Sequence, residues 1–205
     1  MGLRARNEKE KETMKKRILE AAVALIIADG YDELSMRKIA TKIGYSPTTI
    51  YLYYKDKAKI VEDISKQIYE ITVCNIKRAL EENKDAVIVE QLELAFKAFI
   101  CSMTDNAEMG KAVIRSGTSA IFGSGDENVA PEENGILLLQ AILSKGQQQG
   151  VLRRLDDNAS WMLITALLGF VMNVIENQLY LRGDWTSLVS TYTEILINGL
   201  AAGSH

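Results

Sequence analysis

The sequence predicts an all-α chain of 205 residues in which a small three-helix head precedes a longer helical body. Three features point there. Apolar residues recur at three- and four-residue steps through most of the chain, the spacing of a helix face. Between Ser35 and Lys57, the string SMRKIATKIGYSPTTIYLYYKDK places a helix stop, Gly44, just ahead of a helix start, Ser46-Pro47. Charge also divides along the chain: residues 1–60 hold 13 Lys and Arg against 8 Asp and Glu, and residues 61–205 hold 11 against 19. The net −3 therefore combines a head of +5 with a body of −8, and only the head suits a polyanion.

The first helix is carried by KKRILEAAVALIIADGY, where Ile18, Ala21, Ala22, Leu25 and Ile26 share one face. Gly30 stops it, and Tyr31 and Leu34 lead to Ser35. Upstream, Arg4, Arg6, Lys9, Lys11, Lys15, Lys16 and Arg17 alternate with Glu8, Glu10 and Glu12. That mixture fits a solvated helical extension as well as a basic arm reaching a minor groove, with Arg4 and Arg6 the arm candidates.

Ser35 is a natural N-cap for a second short helix bearing Met36, Ile39, Ala40 and Ile43 on one face. Arg37, Lys38, Thr41 and Lys42 are left for solvent or phosphate. Gly44 ends that helix because it takes the left-handed conformation without a Cβ clash. Ser46 then caps a third helix with Pro47 first, where its fixed φ is already helical. Ile50 and Tyr54 face inward with Ile39 and Ile43; Pro47, Thr48, Thr49, Tyr51, Leu52 and Tyr53 lie around the outer side. Threonine hydroxyls can bond base edges or phosphates, threonine methyls and Leu52 can meet thymine methyls, and a tyrosine hydroxyl suits a phosphate oxygen. Lys55 and Lys57 flank the next helix start, capped by Asp56. No acidic residue occurs between Arg37 and Lys55, whereas an ordinary solvated hairpin mixes both signs. The expected DNA-contacting set is Arg37, Ser46, Pro47, Thr48, Thr49, Tyr51, Leu52, Tyr53, Lys55 and Lys57.

This string resembles the N-terminal domain of the tetracycline-repressor (TetR) family, whose pattern is Thr/Ser-x-x-x-Ile-Ala-x-x-x-Gly-Val-Ser-x-x-x-Ile/Leu-Tyr-x-x-Phe-x-x-Lys. Ser35, Ile39-Ala40, Gly44, Ser46, Ile50-Tyr51, Tyr54 and Lys57 hold those places. Tyr45 stands where valine is usual and Tyr54 where phenylalanine is usual, each a larger or more polar version of a buried residue. The resemblance implies a helix-turn-helix DNA-binding domain, residues 1–56, and a helical effector-binding and dimerisation domain, residues 57–205. It further implies a homodimeric regulator, most simply a repressor, released from a palindromic double-stranded DNA operator by a small-molecule effector.

The rest of the chain excludes several alternatives. No charged stub followed by an apolar run opens it, and its longest apolar stretch, Ala21 to Ala28, is short for a bilayer. Position 6 is Arg6, against myristoylation of Gly2. The expectation is a cytoplasmic protein with no membrane partner. Cys74 and Cys101 stand apart and His205 is the only histidine, which leaves no zinc spacing, so no metal or cofactor is expected and two small buried cysteines are. Without paired-carboxylate motifs or a Ser or Cys beside a base, an enzyme is not expected. Two alternatives remain: a DNA-binding protein without a small ligand, and an all-α carrier or enzyme of an apolar molecule with no operator.

In the body, Ile60, Ile64, Ile68, Ile71 and Cys74 predict one long helix after Lys57, followed by helices near Asp85 to Met103 and Met109 to Ile121. Gly117 to Gly135 reads as a loop, and Pro131 with Glu132 and Glu133 as the next helix start. Gly146, Gly150, Leu152 and Asp157 resemble the family's turn before its last two helices, expected at about Ala159 to Leu181 and Trp185 to Ala202. These are too apolar for one core to absorb, so their surplus is expected to pair with a second copy. Phe170, Val174, Tyr192, Ile195 and Leu196 are the interface candidates. Tyr69, Phe96, Phe99, Met103, Met109, Phe122, Trp161 and Met162 are candidates to line a largely apolar effector pocket, although such residues at helical spacing also build plain cores.

Overall fold

The computed structural model describes residues 2–105, 107–116 and 134–202, with side chains for 8–105, 107–111 and 134–202. Among them are α1 (Gly2–Asp29), α2 (Met36–Ile43), α3 (Pro47–Tyr51), α4 (Lys57–Glu82), α5 (Ile88–Thr104), α6 (Ala107–Ser116), α7 (Gly135–Gln148), α8 (Ala159–Glu176) and α9 (Trp185–Asn198). A 3-10 turn, Leu179–Leu181, lies between α8 and α9. No strand occurs among the described residues; Leu152 and Ala201 form one isolated antiparallel bridge.

These elements make two compact units. The first runs to Gln67 and includes α6 from Glu108; the second comprises Ile68–Ala107 and the chain from α7 onward. The contact boundary therefore falls inside α4, later than the 56/57 division drawn from the pattern.

In the first unit, α2 packs on both α1 and α3. Most of the expected interior is buried, namely Ile18, Ala22 and Ile26 of α1 with Ile39, Ala40, Ile50 and Tyr54, whereas Leu25 and Ile43 are only partly buried. Chain reversal depends on two glycines in the left-handed region. Gly30 (φ +86°) closes α1, and Gly44 (φ +74°) donates its N–H toward α2 carbonyls. Ser35 caps α2 by accepting the Lys38 N–H, and Asp56 caps α4 by accepting the Lys59 N–H at 2.9 Å. Tyr54 places its ring inside the unit and donates its hydroxyl to Asp63 at 3.0 Å; burial, then Asp63, pushes that phenol well above its usual range.

The second unit centres on α5, which packs against α7, α8 and α9. Leu92, Phe96 and Ile100 of α5 meet Leu139, Ile142, Leu163, Leu167, Val171, Val189 and Ile197 in its core. Several expectations are corrected here. In the second half of α4 the buried positions are Thr72, Val73 and Ile76, leaving Ile71 and Cys74 exposed, because the face of a straight helix drifts from a fixed step pattern. Cys101 is also exposed, so neither cysteine is the buried residue expected. Helix α7 starts at Gly135 under an Asn134 cap that accepts from Ile136 and Leu137; Pro131 and most of the expected loop lie outside the described residues. Helix α8 stops at Glu176 rather than Leu181, since Gln178 is left-handed (φ 53°). By length and composition alone the 18 residues of α8 could cross a membrane, a property that core helices share; 44% of it is buried within the chain.

Gly146 lies inside α7 at a close approach: a Cβ there would sit 2.5 Å from Leu152 Cδ1 and 2.9 Å from Ile88 Cγ2, both on buried side chains. Gly146→Ala is expected to destabilise the chain by about 1–3 kcal/mol through overpacking, read by urea unfolding. An unchanged midpoint would show that Leu152 moves aside freely.

Candidate nucleic-acid interface and apolar cavity

The helix-turn-helix face is built by its caps. Ser46 is extended (φ −79°, ψ 151°) and its Oγ accepts the Thr49 N–H at 3.2 Å, while Pro47 opens α3. A five-residue helix has little backbone hydrogen bonding of its own, so this cap matters more than in a long helix. Ile50 is fully buried and fastens α3 to α2 from beneath. Opposite, Pro47 and Thr48 are exposed, Tyr51 is 55% exposed and Leu52 76%.

The other members of the predicted set occupy distinct environments. Arg37 and Lys55 are exposed; Thr49 and Tyr53 are partly buried. The Thr49 hydroxyl shares a 3.0 Å hydrogen bond with Ser46, which leaves Thr48 the freer of the two threonines. Lys57 extends over the Tyr31 ring, its Nζ 5.0 Å from the centroid. Lys38 is held by Glu33 (3.1 Å) and Asp29 (3.4 Å), with its pKa raised chiefly by the Glu33 hydrogen bond.

Sequence reasoning missed Arg17. Its guanidinium donates to the Ile43 carbonyl and the Tyr45 hydroxyl, each at 3.3 Å, and lies 5.2 Å from the Tyr45 ring centroid. It thus ties α1 to the turn preceding α3. Tyr45 is 40% exposed rather than a larger version of a buried valine. The available signal was that departure itself, since an aromatic hydroxyl beside the turn can hold a cation.

The second unit contains an apolar cavity between α4, α5, α7 and α8. It is lined by Tyr69, Thr72, Val73, Ile76, Ala95, Phe96, Phe99, Gly135, Ile136, Leu138, Leu139, Ile142, Ile164 and Leu167. Among the described residues no charged side chain lines it, and its free volume is about 60 Å³. The Tyr69 hydroxyl accepts the Gly135 N–H at 2.8 Å, joining α4 to the start of α7. Three pocket candidates, Tyr69, Phe96 and Phe99, meet here. Met103 is buried off the lining and Met109 is buried in the first unit. Trp161 (43% exposed) and Met162 (68%) lie on the outer side of α8, and Phe122 is outside the described residues. The aliphatic remainder of the lining was missed because it carries the same periodicity as any core face. Beside the cavity, sharing Val73 and Leu138, runs an open groove bearing Lys77, Arg78, Lys84 and Lys145 with Glu70 and Glu81.

Of the interface candidates, Val174 is fully buried within the chain, which corrects its assignment to an outer surface. Phe170 is stacked on Tyr192, 3.9 Å between centroids, and Tyr192 donates to the Ala166 carbonyl at 2.6 Å. Leu196 is partly buried, while Ile195 is 63% exposed. The exposed apolar side chains of α8 and α9 are Trp161, Met162, Met172 and Ile195. Among the described residues no cluster of His, Cys, Asp and Glu is arranged to hold a metal.

The cap yields a direct test. Ser46→Ala is expected to weaken α3 by about 1 kcal/mol and speed hydrogen exchange at the Tyr51 and Tyr54 amides about fivefold, with Ser46→Asn largely restoring protection. Equal exchange in all three proteins would mean that the cap does not hold this helix.

Residues 18–64 match the family model described as bacterial regulatory proteins, tetR family. Over 202 residues the chain is 25% identical to the fatty acid metabolism regulator protein of Bacillus subtilis, covering 94% of this chain and 98% of that one. Over 92 residues it is 30% identical to the nucleoid occlusion factor SlmA of Vibrio vulnificus, covering 42% and 47%. Its fold is similar to that of the fatty acid degradation regulator FadR of Bacillus halodurans, at a TM-score of 0.65 and 20% identity over 89% of this chain and 94% of that one. The first and third of these are named as regulators and the second as a nucleoid occlusion factor. The helix-turn-helix geometry and the family match together show a tetR-type DNA-binding domain at residues 18–64, in a chain that is similar to tetR-type transcriptional regulators over most of its length.

Proposed function

We propose that the protein is a homodimeric repressor that leaves its operator when a small, largely apolar molecule occupies the cavity of the second unit. The observation that carries this is the pairing, in one chain, of an acid-free exposed recognition face with a cavity that has no charged side chain among the described residues of its lining. One short helix makes few base contacts; two held by a dimer about 34–36 Å apart would address half-sites one turn apart. The exposed apolar side chains of α8 and α9 support self-association, with Ile195 at the interface and Val174 left in the core.

The cavity's size bears on the switch. Its 60 Å³ amounts to about two waters, well below the roughly 300–1,000 Å³ of an occupied ligand site. An effector must therefore stabilise an opened form, and its preference for that form over the DNA-binding form sets how far it releases the operator. Tyr69, Thr72, Val73 and Ile76 place one wall on α4, which also contributes residues to the first unit, so α4 is the element through which occupancy would act. The fatty acid regulator among the relatives supports a hydrocarbon-chain effector, and the neighbouring groove's cations suit an anionic end outside the cavity.

Within the recognition face, Thr48 reads a base edge, Tyr51 and Lys57 hold phosphates, and Arg37, Ser46, Pro47, Thr49, Leu52, Tyr53 and Lys55 complete the contact surface. Tyr51→Ala and Lys57→Ala are expected to weaken binding to every duplex, and Lys57→Ala to reduce the salt slope by about one. Thr48→Val should alter preference at one base-pair position, worth about 1–3 kcal/mol. Unchanged affinity and preference in all three would overturn the contact assignment. Ile195→Arg is expected to shift the protein to monomers in sedimentation and to lose operator affinity; a persistent dimer would move the interface elsewhere.

A further inference from the structure

Among the described residues, the cavity lining contains one buried polar side-chain atom with no hydrogen-bond partner. Thr72, on α4, is 4% exposed, lines the cavity, and its Oγ1 has no hydrogen-bond partner. Four other buried polar residues are satisfied locally: Ser65 donates to the Val61 carbonyl at 2.8 Å and Thr104 to the Ile100 carbonyl at 2.9 Å. Thr193 donates to the Ser190 carbonyl, and Gln91 to the Lys84 and Ala86 carbonyls. A mid-helix threonine ordinarily bonds back in this way, so Thr72 departs from the pattern of its own molecule. Buried hydroxyls left unpaired are costly, and valine would fill the same volume without that cost.

We infer that Thr72 Oγ1 is a hydrogen-bonding subsite for a neutral oxygen, hydroxyl or carbonyl, carried on the part of a largely apolar ligand that enters this cavity. Neutrality follows from the lining, which among the described residues has no charged side chain to compensate a buried carboxylate. Water alone fits less well: an enclosed water seeks two to four polar partners, and among the described residues the lining offers it only the Thr72 hydroxyl and the hydrogen of the Tyr69 hydroxyl, whose oxygen already accepts the Gly135 N–H. A ligand oxygen with an apolar body satisfies the hydroxyl and fills the remaining apolar wall together. The inference rests on the cavity being the effector site and adds that the effector's buried portion is not pure hydrocarbon.

The test uses the full chain without DNA and two volatile probes, hexan-1-ol and n-hexane, with binding measured by headspace depletion. Thr72→Val is expected to lower the hexan-1-ol to n-hexane affinity ratio about five- to tenfold, while Thr72→Ser retains it. Unliganded Thr72→Val should melt at or above the wild-type temperature. An unchanged ratio, no hexan-1-ol binding by wild type, or a lower melting temperature, which would reveal an internal partner for the hydroxyl, overturns the inference. Should Thr72→Val not fold, Thr72→Ala against Thr72→Ser gives the same comparison of ratios. Thr72-dependent binding of hexan-1-ol with no ligand able to release the operator would support this inference while overturning the release mechanism. Operator release by apolar molecules with no dependence on Thr72 would do the reverse.

Discussion

The left-handed turn at Gly44 sets the geometry on which recognition depends. It ends α2 after two turns and delivers the chain to Ser46, whose hydroxyl starts α3 within two residues. Ile39 and Ile50 can then share one interior while Thr48, Tyr51 and Leu52 face outward. A residue with a Cβ at φ +74° would be strained even with open space around it, so the demand is on the backbone rather than on room. Arg17 braces the same turn by joining the Ile43 carbonyl to Tyr45. The head thus gives a very short helix a defined direction through two caps, one glycine and one cation.

The second unit solves a different problem. Its central helix α5 is covered by three others, yet this arrangement still leaves Trp161, Met162, Met172 and Ile195 exposed and a small cavity beside Phe96. Surplus apolar surface outside and unfilled apolar space inside both cost stability in an isolated chain. On the proposed function each is relieved by binding: the surface by a second copy, the cavity by a ligand. Thr72 sharpens the second point, because an unpaired hydroxyl on the cavity wall adds a polar requirement to a site otherwise described by shape and hydrophobicity.

Much of the head was legible in the sequence because its signals are local. Ser35, Gly44, Ser46-Pro47 and Asp56 act through the backbone within a few residues, and the structure shows each in the expected place. The body's helices were recoverable from periodicity, but its outward and inward faces were not. Ile71 and Val174 show why: an apolar residue looks the same in sequence whether it ends at solvent or in the core, and only packing decides. The cavity was legible in its aromatic members Tyr69, Phe96 and Phe99. Its aliphatic wall and Thr72 were hidden, since a threonine's missing partner is a property of three-dimensional neighbours. Arg17 was hidden for the same reason, its partners lying 26 and 28 residues away.

A selection of the purified protein against a randomised duplex pool at fixed ionic strength, with the enriched sequences read out, tests the central claim most directly. The account predicts a pseudo-palindrome whose half-sites lie about one helical turn apart, in line with two recognition helices held by a dimer. Retention without sequence enrichment, disappearing as salt is raised, would contradict it, because phosphate attraction alone would then explain the basic head.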